Sequence, residues 1–387
     1  MRTAYICADP GVPVFGQKGS SIHVQEVIRA LGRRGLEVEL FATRTGGQAP
    51  PELEHIPLHR LPKIGKGDVA AREQRALAAN EGLQTALERA GKFDLVYERY
   101  SLWSFAGMEY ARAAGVPGLL EVNAPLIEEQ AEHRGLVDRP GAERTAERAF
   151  GAATALLAVS DGVAAYLENH PAAQGRVQVV PNGVNPDRFP AGLAPARLGD
   201  SGAFTVGFVG TLKPWHGLDV LVEAFAALHR LDPGARLLVV GDGPGRAGLE
   251  AELAARGLSS AAHLAGAVPP DAIPAWLASM DVAVAPYPDL PRFYFSPLKV
   301  YEYMAAGISV VASRIGQIAA LIEDGVTGLL CPPGNPEALA SALRRLRAEP
   351  GLRRRLGRAA RATVIHRYTW DTVAGRILNL ADLRGPG

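Results

Sequence analysis

Lys299 and Glu302 stand three residues apart in the stretch 293–331, FYFSPLKVYEYMAAGISVVASRIGQIAALIEDGVTGLLC. On a helix that spacing puts both side chains on one face. Ser296 suits the N-cap and Pro297 the first helical position, where a missing N–H costs nothing, so a helix is expected from there to Ala306. Gly307 reads as a left-handed terminator, and 308–312 as a buried parallel strand. Lys299 then falls on the first turn, whose free N–H groups attract anions. A cation and a carboxylate so placed suit a nucleoside diphosphate: amides and lysine hold phosphate oxygens, and the carboxylate accepts ribose hydroxyls. The alternative for the same spacing is an ordinary i, i+3 surface ion pair.

Further candidates lie where loops follow apolar strands. The loop DPGVPVFGQKGSS offers Gly16 and Gly19 for close backbone approach, with Ser20 or Ser21 to cap the following helix. Lys18 is one position too late for a P-loop, which excludes the NTPase reading. Of 41 basic residues only six are lysine, and Lys18, Lys213 and Lys299 all lie in such loops. Near strand ends also lie Arg99 in ERYSLW and Glu121 and Asn123 in EVNAP. Glu121 and Asn123 are candidate substrate ligands, or Asn123 makes an Asx turn before Pro125. Gly243, Gly245 and Gly248 satisfy G-x-G-x-x-G, which raises an NAD-dependent oxidoreductase as a rival.

These loops need a scaffold, and the apolar pattern supplies one. Strands are expected at 3–8, 38–43, 93–97, 117–122, 155–159, 204–209, 237–240, 263–268, 282–287 and 308–312. Helices are expected at 21–34, 69–90, 103–114, 126–149 with an interruption at 139–141, from 217, at 272–280, and from 336 to the end. Strands alternating with helices of this length argue for βαβ units and parallel sheets, with ligands at the strands' carboxyl ends. The stretch 44–91 is polar and broken by Pro50, Pro51, Pro57 and Pro62 before its helix. PAGLAPARLGDSG, 190–202, reads as a linker. Two α/β domains follow: 1–190, with a closing helix at about 368–387 packing back on it, and 191–367.

At 387 residues, net charge +1 and 48% hydrophobic, the composition is that of an ordinary globular protein and excludes a strongly basic nucleic-acid binder. Cys7 and Cys331 show neither a pairing pattern nor metal-ligand spacing. With no stretch of eighteen apolar residues and no signal-peptide pattern, a cytoplasmic protein is expected. The arginines from Arg344 to Arg361 lack interleaved aromatics and read as a solvated helix face.

SPLKVYEYMAAGISVVAS followed by GQIAALIEDGVTGLLCPPGNPEALASAL resembles the carboxyl-terminal signature of the retaining nucleotide-sugar glycosyltransferases of family four. Glu302 opens E-Y-M-A-A-G as the family's glutamate opens E-A-M-A-x-G. The resemblance implies the GT-B fold, two Rossmann-like domains facing across a cleft that closes on the substrates. It implies a donor held by the second domain, an acceptor by the first, and transfer with retention. A second family glutamate, eight positions earlier and touching the donor sugar, is Tyr294 here. Donor contacts are implied for Gly16, Gly19, Gly210, Lys213, His216, Gly241, Gly243, Ala267, Val268, Tyr294, Ser296, Pro297, Leu298, Lys299 and Glu302. Lys18, Arg99, Glu121 and Asn123 fall to the acceptor. Thr211 and His216 replace an arginine and a lysine of the family pattern, and Asn123 stands where many members carry a histidine facing the reacting centre. Asn123 and Lys299 are the catalytic candidates. Neither a metal nor a further cofactor is expected, the sugar nucleotide being a co-substrate. A non-catalytic sugar-nucleotide binder is the other alternative.

Overall fold

The structure, a computed structural model, describes residues 1–196 and 202–381. It divides into two compact units, Met1–Asn182 with Tyr294–Ser296 and the chain from Trp370, and Gly183–Phe293 with Pro297–Thr369. The breaks thus fall at Asn182 and Thr369 rather than at 190 and 367. Part of the expected linker, 197–201, and the end of the expected closing helix, 382–387, lie outside the described residues.

Seven strands among the described residues build the first unit: β1 (Arg2–Cys7), β2 (Glu37–Ala42), β3 (Leu58–Arg60), β4 (Leu95–Arg99), β5 (Gly118–Val122), β6 (Ala155–Ala158) and β7 (Val177–Val179). They form one parallel sheet in the order β3-β2-β1-β4-β5-β6-β7. Six helices follow in chain order: α1 (Gly19–Arg33), α2 (Val69–Ala90), α3 (Ala106–Ala114), α4 (Leu126–His133), α5 (Arg139–Ala152) and α6 (Asp161–Glu168). Asp68 caps α2 by accepting from the Ala71 N–H at 2.7 Å, and Ser160 caps α6 through the Val163 N–H at 3.2 Å. The chain's last helix, Trp370–Leu380, packs on α1, where Arg33 Nε meets Asp371 Oδ1 at 2.9 Å.

Six strands among the described residues build the second unit: β8 (Thr205–Val209), β9 (Arg236–Val240), β10 (Ala262–Gly266), β11 (Val282–Ala285), β12 (Ser309–Ser313) and β13 (Leu329–Cys331), in the order β10-β9-β8-β11-β12-β13, again all parallel. Its helices are α7 (Leu218–His229), α8 (Arg246–Ala255), α9 (Ile273–Leu277), α10 (Leu298–Ala305), α11 (Gly316–Leu321), α12 (Pro336–Ala348) and α13 (Pro350–Arg367). Leu218, Leu221, Val222 and Phe225 form the buried face of α7 against the sheet. Four of the arginines on α12 and α13 are engaged: Arg345 with Glu349, Arg347 with Asp232, Arg353 with Asp281, and Arg361 with the Phe189 carbonyl. No helix among the described residues is long and apolar enough to cross a membrane.

Several expectations need correction. Neither Ser20 nor Ser21 caps α1; Lys18 takes the cap position and its carbonyl accepts the Ser21 N–H at 2.8 Å. Ser296 does not cap α10, because Pro297 occupies that place and Ser296 instead accepts from Asn182, 2.7 Å from Asn182 Nδ2 to the Ser296 carbonyl. The interruption between α4 and α5 lies at 134–138, since Pro140 starts a helix here rather than breaking one. Within the polar stretch 44–91, Leu58–Arg60 forms an edge strand whose flanking prolines are tolerated because only β2 pairs with it.

Candidate functional site

In the second unit the strand order reverses between β8 and β11, the switch point at which ligands of open α/β sheets bind. Lys299, on the first turn of α10, sends its ammonium there. Nζ lies 4.3 Å from the ring centre of Phe208 on β8 and 5.5 Å from that of Tyr287, just beyond β11. It is shielded from solvent and has no hydrogen-bond partner among the described residues. Two aromatic faces hold the charge by their quadrupoles without neutralising it. Burial pushes the lysine down to about 7, so an arriving anion restores what desolvation removed. Lys299 and Glu302 do not pair as a surface couple. Glu302 Oε1 meets Arg188 Nη1 at 3.0 Å, and Arg188 also donates to the Pro270 carbonyl at 2.6 Å, tying α10 to the loop that begins at Ala267 and Val268.

The loops after β8 and β9 close the site from the other side. Leu212 N–H donates to the Asp242 carbonyl at 3.0 Å and Gly245 N–H to the Leu212 carbonyl at 3.0 Å. Glycines are required for this approach. Gly243 has φ 156° and a Cβ there would stand 2.6 Å from the Leu212 oxygen; Gly241 has φ 139° and its Cβ would stand 2.0 Å from the Gly210 oxygen. The G-x-G-x-x-G of this loop therefore serves loop-on-loop packing rather than a dinucleotide turn, and Gly248 lies within α8. Gly210 leaves room for Lys299, whose Nζ would be 3.0 Å from a Cβ. Lys213 lies over the Trp215 ring at 5.4 Å. His216 donates from Nδ1 to the Thr211 carbonyl at 2.6 Å, and burial together with the Lys299 charge pushes it down to about 3. At neutral pH it is an uncharged imidazole.

A second cluster crosses the carboxyl edge of the first unit's sheet. Cys7, Arg99 and Glu121 are register partners on β1, β4 and β5, so their side chains share one face. Arg99 Nη1 donates to Glu121 Oε1 at 3.0 Å, Asn123 Nδ2 donates to the same oxygen, and the Tyr97 hydroxyl donates to Oε2. Burial raises the Glu121 carboxyl, but the charges of His23 and Arg99 and these hydrogen bonds hold it below the usual range. His23, from α1, completes the group 3.3 Å from Arg99 Nη1 and edge-on to Trp370 at 5.1 Å.

The structure thus brings Gly210, Lys213, His216, Gly241, Gly243 and Lys299 together in one unit, and Arg99, Glu121 and Asn123 in the other. Gly16 and Lys18 lie on the β1–α1 loop, where Gln25 Nε2 ties down the Gly16 carbonyl at 3.0 Å and Lys18 is exposed, and Gly19 opens α1. Tyr294 and Ser296 belong to the first unit: the Tyr294 hydroxyl donates to Glu129 at 3.2 Å and its carbonyl accepts from Ser160 at 2.6 Å. Pro297 and Leu298 open α10. Sequence reasoning missed His23, Phe208, Tyr287 and Arg188. Only His23 left a signal, a histidine on the otherwise apolar helical face of Val27 and Ala30.

Burial pushes the His23 imidazole down to about 4, against the pull of Glu121 and with the push of Arg99. An unfolded histidine titrates near 6.5, so below that pH the unfolded chain binds the proton first. Stability should be full above pH 6.5 and fall as the pH drops toward 4, by roughly 1.4 kcal/mol per pH unit from this residue. Melting temperatures of the wild type and His23→Gln between pH 7.5 and 4.5 check this; equal slopes would remove His23 from the effect.

Residues 203–349 match the family described as glycosyl transferases group 1, and residues 18–188 match glycosyltransferase family 4. The D-inositol 3-phosphate glycosyltransferase of Streptomyces bingchenggensis is 32% identical over 381 residues, covering 92% of this chain and 82% of that one. Among solved structures, sucrose-phosphate synthase from Thermosynechococcus elongatus aligns with a TM-score of 0.78 at 22% identity, over 99% of this chain and 98% of that one. Anabaena Alr3699/HepE, solved in complex with UDP and glucose, aligns with a TM-score of 0.74 at 19% identity, over 99% of each chain. Two parallel sheets with flanking helices and glycine-shaped loops at a switch point agree with these matches, and the oxidoreductase reading falls. The chain belongs to the family 4 glycosyltransferases, glycosyl transferases group 1, and has the GT-B fold.

Proposed function

We propose that the protein transfers a hexosyl group, with retention, from a UDP-sugar to a hydroxyl of a small acceptor or glycan, without a metal ion. The observation that carries the donor half is the Lys299 ammonium, buried and unpartnered at the switch point of the second unit. In the reaction the bond from the anomeric carbon to the β-phosphate oxygen breaks. The acceptor oxygen forms the new bond, and its proton passes to the departing phosphate. Charge develops on that phosphate, and Lys299, Lys213 and the first amides of α10 are the groups proposed to stabilise it. Glu302, oriented by Arg188, is the proposed ribose ligand. The acceptor is assigned to the first unit, beside Lys18, Arg99, Glu121 and Asn123. Arg99 and Glu121 are engaged with each other inside the protein and Glu121 positions Asn123, so Asn123 and the exposed Lys18 are the members of that group left to meet substrate. Retention follows the family resemblance, and UDP rather than GDP is favoured by the UDP-bound Anabaena protein. The inositol phosphate in the relatives' name supports a small hydroxylated acceptor. Both cysteines are free and buried, as suits the reducing cytoplasm in which we place the enzyme.

Thermal stabilisation by UDP, GDP, ADP, CMP and NAD tests the reading. A ligand at a hundred times its dissociation constant adds about 2.7 kcal/mol. The expected result is a clear shift with UDP. A shift with NAD alone would overturn the proposal, and a shift with GDP alone would reassign the donor.

A further inference from the structure

The first unit has its own switch point, between β1 and β4. A crevice opens there, bordered by residues that follow four adjacent strands: Ala8 after β1, Thr43 after β2, Leu61 after β3 and Ser101 after β4. It encloses about 60 Å³ and is partly open to solvent. That is well short of a whole small-ligand pocket and leaves room for about one ring or branched alkyl group.

Its walls are apolar. Ala76, Ala79 and Leu83 come from one face of α2, Ile64 from the loop before that helix, and Trp103 from the loop after β4. Ile64, Ala76 and Ala79 remain partly exposed, so apolar surface is left in contact with water at a place where sheets of this kind bind ligands. The largest polar group in the wall is already committed. Asn80 Nδ2 donates to the Leu77 and Trp103 carbonyls, both at 2.8 Å, and Oδ1 accepts from Phe105 N–H at 2.9 Å and Ala106 N–H at 3.0 Å. All its capacity is used in fixing the 101–106 loop and starting α3. Ser104 donates to the buried Glu98. None of the lining residues is charged. A phosphate would find no cation there, and a ring of hydroxyls would lose water without an adequate set of new partners.

We propose that this crevice receives an aryl or branched alkyl group carried by the acceptor, which makes the acceptor an amphiphilic alcohol rather than a bare polyol phosphate. The inference rests on the glycosyltransferase reading above and narrows its acceptor class.

Methyl-resolved NMR of the full chain tests it, with benzyl alcohol as the apolar probe and myo-inositol and inorganic phosphate as polar ones. Benzyl alcohol should shift the Ile64, Ala76, Ala79 and Leu83 methyls saturably, and the polar probes should leave them in place. Filling the crevice by Ala79→Trp, or by Ala76→Leu if that variant folds poorly, should weaken the benzyl alcohol response at least tenfold. UDP should still shift methyls of the second unit in the same variant. The inference is overturned if benzyl alcohol leaves those methyls unmoved, if the filled variant responds as the wild type does, or if myo-inositol or phosphate moves them. Loss of the UDP response in the wild type would instead sink the glycosyltransferase reading while leaving the apolar preference of the crevice standing.

Discussion

Replacing Lys299 by methionine should weaken UDP binding by about tenfold to a hundredfold while raising the stability of the ligand-free protein. The two effects have opposite signs because the ammonium is an unpaired charge at rest and a paired one only with donor present. A hydrogen bond to a charged group contributes about 1.5–3 kcal/mol, which sets the loss of affinity. Removing a buried polar group that has no partner should stabilise the free protein by about 1–3 kcal/mol, with methionine filling the slot between Phe208 and Tyr287. The pH dependence follows from the same geometry. Burial pushes the free lysine down to about 7, and a bound diphosphate must raise it. UDP affinity should therefore be greatest below pH 7 and decline as the pH rises above it, with proton uptake on binding in the declining range. Calorimetry in two buffers of different ionisation enthalpy reads the proton uptake, and thermal melts read the stability. Unchanged UDP affinity in Lys299→Met would remove the lysine from the donor site.

Arg99→Ala should destabilise the first unit by about 3–5 kcal/mol, the loss expected when one partner of a buried ion pair is removed. Both side chains are largely buried, with 12% and 4% of their surface exposed, so solvent screens little of the interaction. The variant leaves the Glu121 carboxylate held by Tyr97 and Asn123 but without its fixed cation. Glu121→Gln added to Arg99→Ala should recover part of the loss, because the amide carries no charge to strand. The double-mutant cycle gives the coupling directly from denaturant melts. A loss under 1 kcal/mol in the single variant, or no recovery in the double, would show that the carboxylate is not held by this arginine. Titration gives a further sign. Glu121 is depressed in the folded protein, so its contribution is present above about pH 4.5 and is lost as the pH falls through its folded value. The Arg99→Ala defect should accordingly be full at pH 8 and shrink only as the pH falls below about 4.5.

The amino-acid sequence by itself determined the fold class, the alternation of strands and helices, and the loops that carry the site. Those properties are written in short-range patterns: β-branched runs, capping residues and the terminating Gly307, whose φ of 72° is the left-handed conformation its place demands. It also placed Lys299 on the first turn of α10, a matter of three residues' spacing. Tertiary structure alone decided what each charge faces. Glu302 has Lys299 for a neighbour in sequence but pairs with Arg188, 114 positions away. His216 stands where the family pattern has a lysine and becomes a neutral donor to Thr211 once it is buried beside Lys299. Ser296 reads as a cap and is drawn off by Asn182. His23 joins Arg99 and Glu121 because parallel register and the packing of α1 bring together three segments that no local pattern connects. Strand and helix formation is governed by neighbours along the chain, whereas electrostatic and hydrogen-bond partners are chosen by distance in space, and those distances exist only after the sheets have paired.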